Sequence, residues 1–165
     1  MGRLHLQARD YGEKPDWWTT DEWSTPPAFV AGLVRRFGSI DLDPCCRPET
    51  ARGARYFTRA DNGLVQPWDG LVFVNPPYSE PKVWVEKAIS ESRRTSTCRV
   101  IMLLPASVDT GWFHDLVLPN ADIEFMRGRL RFHGWHGIPV GSPTAGNLLG
   151  FFPKGWKNSA PLRVG

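Results

Sequence analysis

The sequence predicts an α/β domain, one sheet covered by helices on both faces. Three observations predict it. Two short apolar runs, 71–74 and 100–104, have the length and composition of strands buried on both sides. Stretches of helical periodicity lie around them, and short strand-like runs close the chain, so strands and helices alternate and then give way to an antiparallel end. At 165 residues the chain fits one domain with a real core.

Taken in order, residues 1–24 are polar and aromatic (Tyr11, Trp17, Trp18, Trp23) without periodicity and are expected to form an N-terminal arm, partly disordered or laid over the domain. The domain proper spans 25–165. Thr25 is expected to cap a helix with Pro26 at its first position, and Phe29, Val30, Leu33, Val34 and Phe37 form its apolar stripe up to Gly38. Residues 39–43 read as a strand with Ile40 and Leu42 on one face. After the strand 71–74, a helix follows residue 78 with Trp84, Val85, Ala88 and Ile89 on its buried side. A strand over 99–104 ends at Pro105, 106–118 is loop and short helix, and 123–126, 129–132 and 147–152 read as strands. Ligands of such sheets bind at the carboxyl ends of the strands, which puts Asp43, Asn75 and Pro105 on one rim.

Composition narrows the function classes. The longest apolar run is far too short to cross a bilayer, and Met1-Gly2-Arg3-Leu4-His5 lacks the apolar segment of a signal peptide, so a soluble cytoplasmic protein is expected. Three cysteines, two of them adjacent at Cys45 and Cys46, make no disulfide framework. The net charge of +3 conceals an asymmetry: residues 127–165 carry six basic side chains and no acidic one, whereas 1–126 hold 14 basic and 17 acidic. That basic segment, with Arg127, Arg129, Arg131 and the neighbouring Phe132, His133, Trp135 and Trp156, suits a polyanion; a solubilising tail is the plainer alternative.

The most informative stretch is Asn75-Pro76-Pro77-Tyr78 at the end of an apolar strand. An exocyclic amine is a poor nucleophile because its lone pair is delocalised into the ring. The Asn75 side-chain oxygen and the Pro76 carbonyl can each accept one N–H bond, favouring a pyramidal nitrogen with a free lone pair; Pro77 helps stiffen the turn, and Tyr78 offers a flat face for stacking. The turn therefore suits methyl transfer to an amino group. A bare Pro-rich turn after a strand is the bland alternative.

Several further segments carry a resemblance. Trp23-Ser24-Thr25-Pro26, Leu42-Asp43-Pro44-Cys45, Asp61-Asn62-Gly63-Leu64 and Asn75-Pro76-Pro77-Tyr78 stand in the order found in amino-group methyltransferases that use S-adenosylmethionine (AdoMet). With Leu104-Pro105-Ala106, Asp109-Thr110-Gly111-Trp112-Phe113 and Gly128-Arg129-Leu130, the chain from Trp23 to Phe132 resembles the small phage-type DNA N6-adenine methyltransferases. The resemblance implies a Rossmann-like methyltransferase sheet, AdoMet as cofactor, and an adenine flipped out of double-stranded DNA as acceptor. It implies catalytic roles for Asn75, Pro76, Pro77 and Tyr78, and cofactor contacts from Thr25, Pro26, Asp43, Pro44, Cys45, Asp61 and Leu64. DNA contacts are expected from Arg127, Arg129, Arg131, His133 and Trp135.

The family's Gly-rich loop after the first strand, which cradles the methionine end of the cofactor, is replaced here by Cys45-Cys46-Arg47-Pro48-Glu49. Only seventeen residues separate Asp43 from Asp61, too few for a full helix, a strand and another helix, so the family's ribose-holding acid has no direct counterpart and Glu49 is the candidate. No target-recognition domain is inserted between the motifs. His133 and His136 with the adjacent Cys45 and Cys46 are not expected to bind zinc, because metal-binding Cys pairs are normally spaced two to four residues apart. The same turn also occurs in enzymes acting on cytosine N4, RNA guanine N2 or a glutamine amide, and an inactive DNA-binding module of the same fold is the rival from another class.

Overall fold

Alternation along three adjacent strands builds the molecule. The computed structural model describes residues 19–134, 137 and 139–159. Its six-stranded sheet has the order β2 (Arg55–Tyr56), β1 (Leu42–Asp43), β3 (Leu71–Val74), β4 (Arg99–Pro105), β8 (Asn147–Phe152), β5 (Asp122–Phe125). The first four are parallel, and β8 runs antiparallel to both neighbours. β6 (Phe132–His133) and β7 (Pro139–Gly141) form a separate two-stranded ribbon.

Successive side chains of a strand face opposite ways, so β3, β4 and β8 supply two cores. Val72, Val74, Val100, Met102, Leu104, Leu148 and Phe152 pack on one face beneath Trp84, Val85, Ala88 and Ile89 of helix α2 (Pro81–Arg94). Leu71, Phe73, Ile101, Leu103, Leu149 and Phe151 pack on the other with Val30 and Leu33 of helix α1 (Pro27–Phe37) and Trp156 of the short helix α4 (Trp156–Ser159). A π-type turn, Phe113–Val117, continues into α3 (Leu118–Asn120) and closes the first core. No described helix is long and apolar enough to cross a membrane.

The structure corrects several expectations. Helix α1 starts at Pro27, with Pro26 in the cap position and no side-chain cap from Thr25. The signal lay in the Pro26-Pro27 pair, because a residue before proline is driven out of helical geometry. Val34 is 37% exposed and leaves the buried stripe. Ile40 and Leu42 fall in opposite cores. Backbone bonds reach back to Ile40 and Asp41, but the regular strand begins at Leu42, since the Leu71 N–H is taken at 2.7 Å by the Asp41 carboxylate in place of a backbone carbonyl. The expected strand 129–132 reduces to Phe132 and His133, where β7 and the Ser24 bridge supply partners. The short interval from Asp43 to Asp61, by contrast, agrees with its reading: it holds a single 3₁₀ turn, Pro48–Thr50, and β2, with no α-helix.

Phe132 and Trp156, read above as aromatics accompanying the basic segment, are 2% and 7% exposed and belong to the core. Part of the basic charge is also structural. Lys157 and Arg36 both bind Glu124, at 2.8 and 2.7 Å, and the Arg36 bond leads in holding that carboxyl down at about 2. Lys154 donates to the Leu118 carbonyl.

The stretch 57–70 has little regular structure and is fixed by polar anchors. The Trp68 side chain is wholly buried and donates its indole N–H to the Gly63 carbonyl at 2.9 Å. Glu91 of α2, 6% exposed, accepts from the Trp68 N–H at 3.0 Å, Lys87 at 2.6 Å and Arg94 at 2.8 Å. Glu91→Ala would strand a largely buried ammonium and a buried N–H together. It should lower unfolding free energy by about 3–5 kcal/mol. A loss below about 1 kcal/mol in chemical denaturation would show this cluster to be dispensable.

Candidate active site

Four strand ends meet along one rim: Asp43 closes β1, Asn75 follows β3, Pro105 ends β4, and Asn147 opens β8 opposite Pro105. Residues 19–25 cross this rim as a strap. The Asp21 carboxylate accepts the Ser79 N–H at 3.1 Å and its hydroxyl at 2.5 Å. The Trp23 carbonyl accepts from Asn75 Nδ2 at 3.0 Å. Ser24 exchanges two backbone bonds with His133, and the Thr25 carbonyl accepts from Arg52 Nη2 at 2.8 Å. Residues 1–18 of the expected arm, with Tyr11, Trp17 and Trp18, lie outside the described residues.

The bond to Trp23 fixes the Asn75 amide. Its nitrogen is committed to the strap, which leaves Oδ1 as the amide's remaining acceptor, and no described residue donates to it or to the Pro76 carbonyl. Tyr78 is held by its hydroxyl, which accepts from Asn147 Nδ2 at 2.7 Å, and by an edge contact with Phe132. Burial pushes the Tyr78 phenol up, only partly offset by the Asn147 bond, so it stays neutral. Asn147 is 2% exposed, and its own Oδ1 has no partner among the described residues.

Asp43 organises the loop that follows it. Its two oxygens accept the Cys45 N–H at 3.3 Å and the Arg52 N–H at 2.9 Å. Burial raises its carboxyl to about 6, against the pull of those N–H groups and the Arg52 charge. A Cβ on Gly53 would lie 2.6 Å from the Asp43 nitrogen, and one on Gly63 would lie 2.0 Å from the Pro44 carbonyl oxygen. The loop is thus seated backbone against backbone. Cys45 and Cys46 are half-buried free thiols pushed up by burial, and so are poor nucleophiles. In place of a Gly-rich loop stands the Pro48–Thr50 turn, closed by Thr50 Oγ1 accepting the Arg47 N–H.

The other expected site residues are spread out. Asp61 is exposed, and its Oδ2 accepts both the N–H and the hydroxyl of Thr58, which hold its carboxyl low. Leu64 and Cys45 are half-buried against the α2-side core. Glu49 is exposed and paired with Arg47 at 2.9 Å. Arg127, Arg129 and Arg131 are all exposed and make no ion pair to a described residue; Arg129 reaches only the Pro143 carbonyl. His133 is half-buried in the ribbon, and Trp135 and His136 lie outside the described residues.

The family model described as DNA N-6-adenine-methyltransferase (Dam) matches residues 15–158. The chain belongs to this family. A DNA N-6-adenine-methyltransferase of Escherichia phage T1 is 34% identical over 112 residues, covering 67% of this chain and 46% of the relative. One of Haemophilus phage HP1 is 35% identical over 104 residues, covering 61% and 58%. A putative methyltransferase of Escherichia coli K12, YfdM, is 35% identical over 65 residues, covering 35% and 71%. The chain spans about half the length of the phage relatives it matches.

For this Dam-family chain the mixed sheet agrees with the Rossmann-like methyltransferase fold. Sequence reading missed three residues that the structure brings to the rim: Asp21, Arg52 and Asn147. Only Asn147 left a signal, as the lone polar residue opening a wholly buried strand.

Asp43 also makes a pH signature. Its native carboxyl binds a proton more tightly than an unfolded one near 3.8, so the stability it contributes is full below about pH 3.8 and is lost as pH rises through about 6. The melting-temperature difference between wild type and Asp43→Asn should shrink from about pH 4 to about 6.5, by at most about 3 kcal/mol in free energy, and then level off. A difference independent of pH would mean Asp43 is ionised throughout.

Proposed function

We propose that the chain transfers a methyl group from AdoMet to the N6 amine of an adenine flipped out of double-stranded DNA. The observation that carries this is the committed Asn75 amide. With Nδ2 bonded to Trp23, Oδ1 and the Pro76 carbonyl remain as two acceptors on a turn stiffened by Pro76 and Pro77. Two acceptors on one amino group draw its two N–H bonds and favour lone-pair density on the nitrogen, without proton transfer in advance. Tyr78, anchored by Asn147, stacks on the adenine. Catalysis comes from positioning and electrostatics.

The donor set fits AdoMet. Asp61 has one carboxylate oxygen uncommitted and exposed, able to accept from the adenine amine of the cofactor, and Leu64 offers apolar surface beside it. Thr25, Pro26, Pro44 and Cys45 are the further cofactor contacts, of which Thr25 and Pro44 are buried and act through their backbone; Asp43 shapes the Cys45–Arg52 loop, and Arg52 brings a positive charge next to Thr25. AdoMet, when bound, supplies an electrophilic methyl group on a sulfonium. Arg127, Arg129 and Arg131, free of ion pairs to described residues, bind phosphates, and His133 and Trp135 contribute further DNA contacts. The cell interior, where DNA and AdoMet meet, is the compartment this requires.

DNA incubated with the protein and AdoMet should yield N6-methyladenine by nucleoside mass spectrometry, and Asn75→Ala should abolish it while AdoMet affinity stays nearly unchanged. Full activity of that variant would sink the mechanism; methylcytosine instead would reassign the acceptor. Asp61→Ala should weaken AdoMet binding by about 1–3 kcal/mol. Replacing Arg127, Arg129 and Arg131 together by Ala should lower the log-affinity against log-salt slope for DNA by about 2–3 units and leave AdoMet binding intact. An unchanged slope with a lowered melting temperature would assign the three arginines to structure.

A further inference from the structure

Three hydrogen bonds to one short strap bracket the Asn-Pro-Pro-Tyr turn. Before it, the Trp23 carbonyl takes the Asn75 amide; after it, the Asp21 carboxylate takes the N–H and hydroxyl of Ser79. An Asn side chain has two nearly isosteric orientations, and only the one with Oδ1 outward can accept from an amine. Nothing within the turn selects between them. The carbonyl of Trp23 does, because it can bond only to the nitrogen end.

That carbonyl must itself be held in place. Trp23 is anchored downstream by the paired backbone bonds of Ser24 with His133 and by the Thr25 bond from Arg52, and its ring lies 5.8 Å from that of Phe132. Upstream, the bonds that tie the strap to the end of the turn are the two that Ser79 donates to Asp21. Thr19, at the start of the strap, only caps its own short turn by accepting the Asp21 N–H. Glu22 meets Arg47 at 3.9 Å, a looser tie to a different loop.

We propose that Asp21 is a positioning residue for methyl transfer: through Ser79 it fixes the strap on the turn, so that the Trp23 carbonyl orients Oδ1 of Asn75 toward the acceptor amine. This rests on the reading of Asn75 given above. Asp21 touches neither substrate nor cofactor, and two bonds to its carboxylate make it more than a helix-start residue. Asp21→Asn keeps one acceptor and should keep part of the effect; Asp21→Ala keeps none.

The test joins single-turnover kinetics to side-chain amide NMR on the full chain. The Asn75 Nδ2 proton pair is assigned by its disappearance in Asn75→Ala. In Asp21→Ala this pair should move to the shift and exchange rate of an unbonded amide, and the rate at saturating AdoMet and DNA should fall by at least about tenfold, while both affinities stay within about twofold. Asp21→Asn should lie between, and Ser79→Ala should change the Asn75 signals in the same direction with the fold intact by circular dichroism. Adding Ser79→Ala to Asp21→Ala should lower the rate no further, since both act through one contact. The proposal is overturned if Asp21→Ala and Ser79→Ala leave the Asn75 protons at their wild-type shift, or if only AdoMet affinity falls and the saturated rate survives. A wild-type protein that methylates no DNA would defeat the reading of Asn75 instead, and the NMR arm would still decide whether Asp21 orients the amide.

Discussion

The register between β4 and β8 is the constraint from which the rest of the molecule is built. Six consecutive residue pairs, Val100 with Phe152 through Pro105 with Asn147, join two strands that are buried along nearly their whole length. A slip by one residue would exchange the two cores and send each side chain to the wrong helix. The same register brings Asn147 beside Pro105, and so to the Tyr78 hydroxyl. A packing requirement in the middle of the sheet thereby fixes a polar contact at its edge.

Few of the polar groups at the rim hold themselves. Asn75 depends on a carbonyl 52 residues earlier, Tyr78 on an amide 69 residues later, and the loop after Asp43 on both a buried carboxylate and Thr25. The sheet supplies a rigid platform, but the orientation of each functional atom comes from a segment that crosses it. The price is borne at Asp43 and Asn147, where a charge and an amide oxygen are buried without full compensation.

What could be read in the sequence follows from how local its cause is. Apolar runs and helical stripes are local, so β3, β4, β8 and the buried face of α2 were legible, as was the Asn75–Tyr78 turn. The α1 boundary and the alternation around Asp41 were misread through short-range effects, a second proline and a side chain substituting for a backbone acceptor. Phe132 and Trp156 were misread for another reason. Aromatics beside basic residues look the same in a core and on a nucleic-acid surface until the chain's return path is known. The strap's hydrogen bonds to the rest of the rim span 27 to 109 residues, and no pattern within a short window could reveal them.

The backbone contact between Gly63 and Pro44 has a consequence for sequence change. Because the atom in the way is a carbonyl oxygen of a rigid residue, no side-chain movement can make room, and even alanine forces the loop off β1. Two residues on, Val65 is 71% exposed and meets no such limit. A library randomised over this loop would therefore divide abruptly, with one position nearly invariant beside another open to most substitutions. That steep contrast reflects distance between main chains, and it would be present even in variants selected for folding alone.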